Sequence, residues 1–187
     1  MPAIERLSPE EFAAHAEGLA DVLADAVEGG ASLGFVAPFD RAAAAAWWRD
    51  QAPAVADGAL IVWAARDAGG VAGTVSLALT AKPNGRHRAE VLKLIVHRRA
   101  RGRGLARALL AAAEGAAREA GASLLLLDTE SDSTAERLYV KEGWTRFGVV
   151  PGYASTPDGV LRDCSFFYKH LGPRDGAHPM AAVAERA

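Results

Sequence analysis

The stretch Glu90-Val91-Leu92-Lys93-Leu94-Ile95-Val96, continued by His97-Arg98-Arg99-Ala100-Arg101-Gly102-Arg103-Gly104 and then Leu105-Ala106-Arg107-Ala108-Leu109-Leu110, decides how this chain is read. Its first part is an apolar run with β-branched residues at its end and reads as a strand. Its last part opens a helix over 104–120, with Leu105, Leu109, Ala113, Ala116 and Ala120 forming an apolar stripe. Between them lies a glycine turn rich in arginine. A strand, such a turn and a helix N-terminus make an anion site. The first N–H groups of a helix have no partner inside it, and the helix dipole favours negative charge there. Glycines let the backbone approach a ligand without a Cβ in the way. Arg98, Arg99, Arg101 and Arg103 suit phosphate oxygens. A phosphate or pyrophosphate ligand is the expectation. The competing reading is a solvated basic loop, and Arg98 in particular reads as a plain surface charge. No Gly-Lys-Ser/Thr follows the glycines, so this is not a Walker loop. The third glycine of a dinucleotide fingerprint is also missing.

Working outward, Ala3–Leu7 is a short candidate strand. Ser8-Pro9-Glu10-Glu11 starts a helix, with Ser8 as cap, that runs to about Val27. Ala31–Phe39 reads as a loop with exposed apolar residues, and Asp40 caps a helix over Ala42–Trp48. Leu60–Ala65 and Val71–Leu79 read as antiparallel strands joined by Asp67-Ala68-Gly69-Gly70. Lys82–Arg88 is a polar connection. Ser123–Thr129 contains four consecutive leucines and reads as a strand buried on both faces. With the preceding strand and helix it implies a parallel crossover. Ser133–Glu142 is a short helix ending at Gly143. Thr145–Val150 and Val160–His170 are strands, joined through Pro157-Asp158-Gly159. The tail 172–187 is rich in Gly, Pro and Ala and is expected to be disordered.

A chain of 187 residues suits one domain with a real core, and half of it is hydrophobic. The formal charge of −2 argues against a nucleic-acid binder in spite of the basic loop. One cysteine, Cys164, excludes an internal disulfide. The five histidines show no metal-ligand spacing, so no metal is expected. No signal peptide and no apolar run of membrane-spanning length is evident, which makes the cytoplasm the default location.

The order of elements, with Arg99-x-x-Gly102-x-Gly104, resembles the GNAT superfamily of acyl-CoA-dependent N-acetyltransferases over roughly residues 3–171. Two further segments carry the resemblance. Ala135-Glu136-Arg137-Leu138-Tyr139-Val140-Lys141-Glu142-Gly143-Trp144 matches a motif helix of the family. Leu94-Ile95-Val96-His97 matches the strand that pairs with the pantetheine arm. The fold implied is α/β: a mixed central sheet of about seven strands flanked by about four helices. Glu90–Arg101, Leu127-Asp128-Thr129, Gly148–Ala154 and Phe166–Lys169 are also similar to an antibiotic- and toxin-resistance branch. That branch includes tabtoxin resistance and kasugamycin-type aminoglycoside acetyltransferases.

The resemblance implies that Arg101, Gly102, Arg103, Gly104, Leu105 and Ala106 hold the pyrophosphate of acetyl-CoA, mainly through backbone amides. Ile95 and Val96 would offer main-chain groups to the pantetheine as if it were an added strand. Ser133 would lie along the lower arm of the cofactor, although helix capping explains it equally well. Tyr139 is the implied general acid that protonates the thiolate; its alternative role is core packing. Glu90 and Asp128 are candidate bases for the substrate ammonium, Glu90 at the family's usual position and Asp128 after four leucines. A strand-end charge and a turn residue are their respective alternatives. Phe35, Trp47, Tyr153 and Asp163 are candidates for the amine pocket. Cys164 has no His and acid partners, so direct transfer is expected. The implied activity is acetyl transfer from acetyl-CoA to a primary amine of a small, antibiotic-like molecule, by a monomer or homodimer. The competing readings are a protein or peptide N-acetyltransferase and a non-catalytic acyl-CoA sensor.

Overall fold

The computed structural model describes residues 2–172. The disorder expected of the tail falls almost wholly outside them. Seven strands form one sheet: β1 (Ala3–Arg6), β2 (Leu60–Asp67), β3 (Gly70–Leu79), β4 (Arg88–Val96), β5 (Leu124–Glu130), β6 (Thr145–Ser155) and β7 (Leu161–His170). Their order across the sheet is β1-β2-β3-β4-β5-β7-β6, and β4–β5 is the parallel pair in it. The helices are α1 (Pro9–Glu28), α2 (Arg41–Asp50), α3 (Ala52–Ala56), α4 (Leu105–Glu119) and α5 (Thr134–Lys141). The seven strands match the sequence expectation, and the fifth helix is the short α3. Pro53 within a five-residue segment gave no periodic stripe to read.

Two apolar layers sandwich the sheet. On one side α1 and α2 bury Leu19, Val22, Leu23 and Trp48 against Leu60, Val62 and Ala64 of β2. On the other, α4 buries Leu109, Leu110 and Ala113 against Val75, Leu77, Val91 and Leu125. Each such leucine or valine contributes roughly 1.5–3 kcal/mol on removal from water. Glu114 of α4 is buried yet satisfied: Lys169 donates to both its oxygens at 2.7 and 2.8 Å, and Trp144 Nε1 at 3.0 Å. This cluster ties α4 to β7 and to the turn after α5, and so fixes where α5 presents its residues.

The leucine run of β5 is not buried on both faces. Leu125 and Leu127 are buried, whereas Leu124 and Leu126 are only half-buried. The layer formed by α1 and α2 covers β2 and β3 and does not extend over β5, so one face of this strand stays partly open. β6 continues beyond its expected end at Val150 to Ser155, because register shifts let it stay paired to β7 past Pro151.

Candidate active site

Among the described residues, three of the five helices begin with a side-chain cap, and α4 and the short α3 do not. Ser8, Asp40 and Ser133 cap α1, α2 and α5 by accepting a bond from a backbone N–H three residues on. Gly104, before α4, has no side chain to do this and sits at φ +75°. The first bond inside α4 runs from Ala108 N–H to the Gly104 carbonyl at 3.2 Å, so the amides of Leu105, Ala106 and Arg107 lie before it. Gly102 is also left-handed, at φ +76°, and a Cβ at either glycine would meet open space. Conformation, not crowding, therefore calls for glycine at both positions. The result is an open, electropositive N-terminus. Its donors suit an anionic group such as a phosphate.

A cleft of about 480 Å³ starts at this loop and runs along Leu94, Ile95 and Val96 to Ser133 and Leu138. Its cause lies in the sheet. β4 and β5 pair only from Arg88–Leu124 to Glu90–Leu126 and then part. β4 continues on β3 to Val96, which leaves its other edge free for an added strand. One acceptor there is already engaged, since Arg101 Nε donates to the Val96 carbonyl at 3.1 Å. Gly102, Gly104, Leu105 and Ala106 line the cleft with Arg101, while Arg103 is exposed and does not line it. Ser133 lines it too, but its hydroxyl accepts the Glu136 N–H at 3.1 Å, which is the capping role.

Two of the four arginines are engaged by the fold itself. Arg98 is not a plain surface charge. Its backbone N–H donates to the buried Asp25 at 2.9 Å, and its guanidinium pairs with Asp25 and Glu28 of α1. Arg99 makes two bonds of 2.8 Å to Asp67 and further bonds to the Gly69 and Val71 carbonyls. These pairs anchor the loop to α1 and to the β2–β3 turn, which sequence spacing could not show.

Where β4 and β5 part, a second cavity of about 300 Å³ joins Asp128, Tyr139, Lys93, Cys164, Tyr153 and Asp163. Tyr139 is buried, with its ring edge-on to Trp144 at 5.9 Å and tilted against Phe167 at 6.0 Å. Core packing and cavity lining are thus both true of it. Burial, and then the charge of Asp128, push its phenol well above the ordinary range, so it stays protonated. Glu90 lies on β4 opposite Leu126, within the electrostatic reach of Asp128, but it does not line this cavity. Partial burial first, and Asp128 second, push its carboxyl up. Cys164 donates to Asp128 Oδ2 at 3.3 Å, and burial with this bond pushes its thiol up to about 12. Such a thiol is not a nucleophile near neutral pH.

The four pocket candidates separate. Tyr153 is exposed and lies edge-on to Phe166 at 5.1 Å. Asp163 lines the cavity, but its carboxylate accepts the Gly152 N–H at 2.9 Å and so braces the irregular part of β6. Phe35 and Trp47 stand edge-to-face at 5.5 Å and turn toward the ammonium of Lys93. Lys93 was missed at the level of sequence. Its signal was a lysine inside the apolar run Leu92–Val96, and its position depends on a bulge: Ser76 faces Leu92 while Thr74 faces Ile95. Lys93 itself takes φ +50° there.

The sequence model of the acetyltransferase (GNAT) family matches residues 19–144. Among solved structures, the chain is similar to the acetyltransferase yncA from Salmonella typhimurium, solved with its cofactor acetyl-CoA: 21% identity, 94% of this chain and 97% of that one covered, TM-score 0.73. It is also similar to a phosphinothricin acetyltransferase from Sinorhizobium meliloti in complex with acetyl-CoA, at 18% identity, 95% and 96% coverage and TM-score 0.71. A ribosomal-protein-alanine N-acetyltransferase from Brucella melitensis gives 24% identity, 90% and 99% coverage and TM-score 0.68. At these identities the structures speak for the fold alone, but the family match spans two thirds of the chain and includes the glycine loop, Glu90, Asp128 and Tyr139: the chain belongs to the acetyltransferase (GNAT) family.

Proposed function

We propose that this protein transfers acetyl from acetyl-CoA to a primary amine of a small, antibiotic- or toxin-like molecule in the cytoplasm. The observation that carries the reading is the continuity of the two cavities. Leu94, Thr129, Glu130 and Ala135 line both, so the uncapped N-terminus of α4 and the residues around Tyr139 belong to one groove. Acetyl-CoA would supply an acetyl group activated as a thioester. The amides of Gly102 to Ala106 would hold its pyrophosphate, and the free edge of β4 at Ile95 and Val96 would receive the pantetheine.

The chain's own residues then move two protons. Glu90 and Asp128 accept one from the substrate ammonium, and the upward shift of the Glu90 carboxyl, from burial first and Asp128 second, strengthens it as an acceptor. Tyr139, kept protonated by burial, delivers one to the departing sulfur. Cys164 takes no part as a nucleophile, so transfer is direct. Similarity of motifs to the resistance branch supports the substrate class. The test is thiol release from acetyl-CoA against amino acids, polyamines, aminoglycosides and peptides with free N-termini. Release with a small amine supports the reading; release with peptides alone, or binding of CoA without release, rejects it.

A further inference from the structure

Lys93 presents an ammonium that makes no direct ion pair. Its ammonium donates to the Leu33 carbonyl at 2.9 Å and lies over the rings of Phe35 (5.4 Å) and Trp47 (5.1 Å). Among the described residues no carboxylate comes within 4.0 Å of it. The other cation of the cavity, Arg162, has Glu130 at 3.9 Å. An ammonium has three donors, and here one is spent on Leu33. Charges withdrawn from water are normally paired, because the loss of solvation is otherwise uncompensated. Withdrawal from water is the main influence on Lys93 and outweighs the more distant Asp128 and Glu90. The backbone adds a second observation. A lysine at φ +50° is an uncommon conformation, and such strain is found where a side chain must point at a functional site.

We propose that Lys93 binds an anionic group of the amine substrate, so that the preferred substrate carries its amine beside a carboxylate or comparable anion. This rests on the acetyltransferase reading and narrows its substrate class. Asp128 takes the ammonium and Lys93 takes the anion; both line the cavity, and a zwitterion matches both signs. Phe35 and Trp47 act through Lys93: their faces hold the ammonium in place, and Leu33 fixes it from the loop that follows α1. A polycation without an anion leaves Lys93 unpaired and meets its charge.

The experiment compares each of a panel of amino acids with its own α-carboxamide. Two readouts are used: thiol release from acetyl-CoA, and calorimetric binding to the protein saturated with CoA. The wild type should favour the acid over the amide by about tenfold or more in both, a difference of roughly 1.4 kcal/mol. In Lys93→Met this ratio should fall to near one, and in Lys93→Arg the preference should keep its direction. Equal use of acid and amide by the wild type, or an unchanged ratio in Lys93→Met, overturns the proposal. So does turnover of spermidine or kanamycin with no amino acid bound; in that case acetyl transfer stands and only the anion site falls. Binding of acids with the predicted ratio but no thiol release rejects the acetyltransferase reading and keeps the site.

Discussion

Cys164 donates its thiol hydrogen to Asp128 across the β5–β7 pair, at 3.3 Å. The carboxylate also acts electrostatically on Tyr139 and Glu90, and burial, with this contact second, pushes the thiol up to about 12. Cys164→Ala should therefore leave acetyl transfer running by the same direct route. Rapid-quench kinetics should show no burst of acyl-enzyme in either protein. A burst present in the wild type and absent in the variant would mean that Cys164 is acylated.

Gly102→Asp tests the anion loop. The open space around this glycine admits the side chain, so the effect comes from a negative charge at the ligand's phosphates and from a residue with a Cβ at φ +76°. CoA affinity should fall at least tenfold, about 1.4 kcal/mol. Unchanged affinity in a folded variant, read by calorimetry, would remove the pyrophosphate from this loop.

Tyr139→Phe keeps the ring against Trp144 and Phe167 and removes only the hydroxyl. Turnover should drop roughly 10²-fold, within the range for general acid catalysis. Binding of acetyl-CoA should change little. A rate close to wild type would show that the sulfur leaves without help from this phenol.

Glu90 offers a pH test with a defined sign. Its folded-state pKa lies above the ordinary 4.5, so the charged form is the one the fold disfavours. The stability linked to Glu90 is whole below about pH 4.5 and is lost as pH rises through the folded value. Glu90→Gln should thus melt higher than wild type at pH 7, with the gain shrinking toward pH 4. Its kcat/KM should lose the acid limb and recover partly at high pH. A variant that melts lower at pH 7 and keeps the wild-type pH profile would show a structural role only.

Lys169→Met leaves Glu114 buried beside Trp144 with only the more distant Arg118, at 3.9 Å, as a cation. Removing one partner of a buried ion pair costs about 3–5 kcal/mol. Urea unfolding should show a loss of that size, with CoA affinity of the folded fraction retained. A loss below about 1 kcal/mol would mean that water replaces the lysine at this site.

The order of elements, the glycine turn before α4 and the residues that mark the family are legible in the sequence alone. These are local signals. A cap, a left-handed glycine and an apolar period are written in neighbouring residues, and α1, α4 and α5 follow them within a residue or two. The composition of the site was different. That Arg98 serves Asp25, 73 positions away, and Arg99 serves Asp67, 32 away, is decided by packing of α1 and the β2–β3 turn on the loop. Only the parting of β4 from β5 makes the groove, and only the bulge turns Lys93 out of the strand's alternation toward Leu33, Phe35 and Trp47. Alternation along a strand assigns each residue to one face, and a bulge reverses that assignment beyond it. The sequence carries no local mark of that reversal, so the charge balance of the cavity beside Lys93 belongs to the tertiary structure.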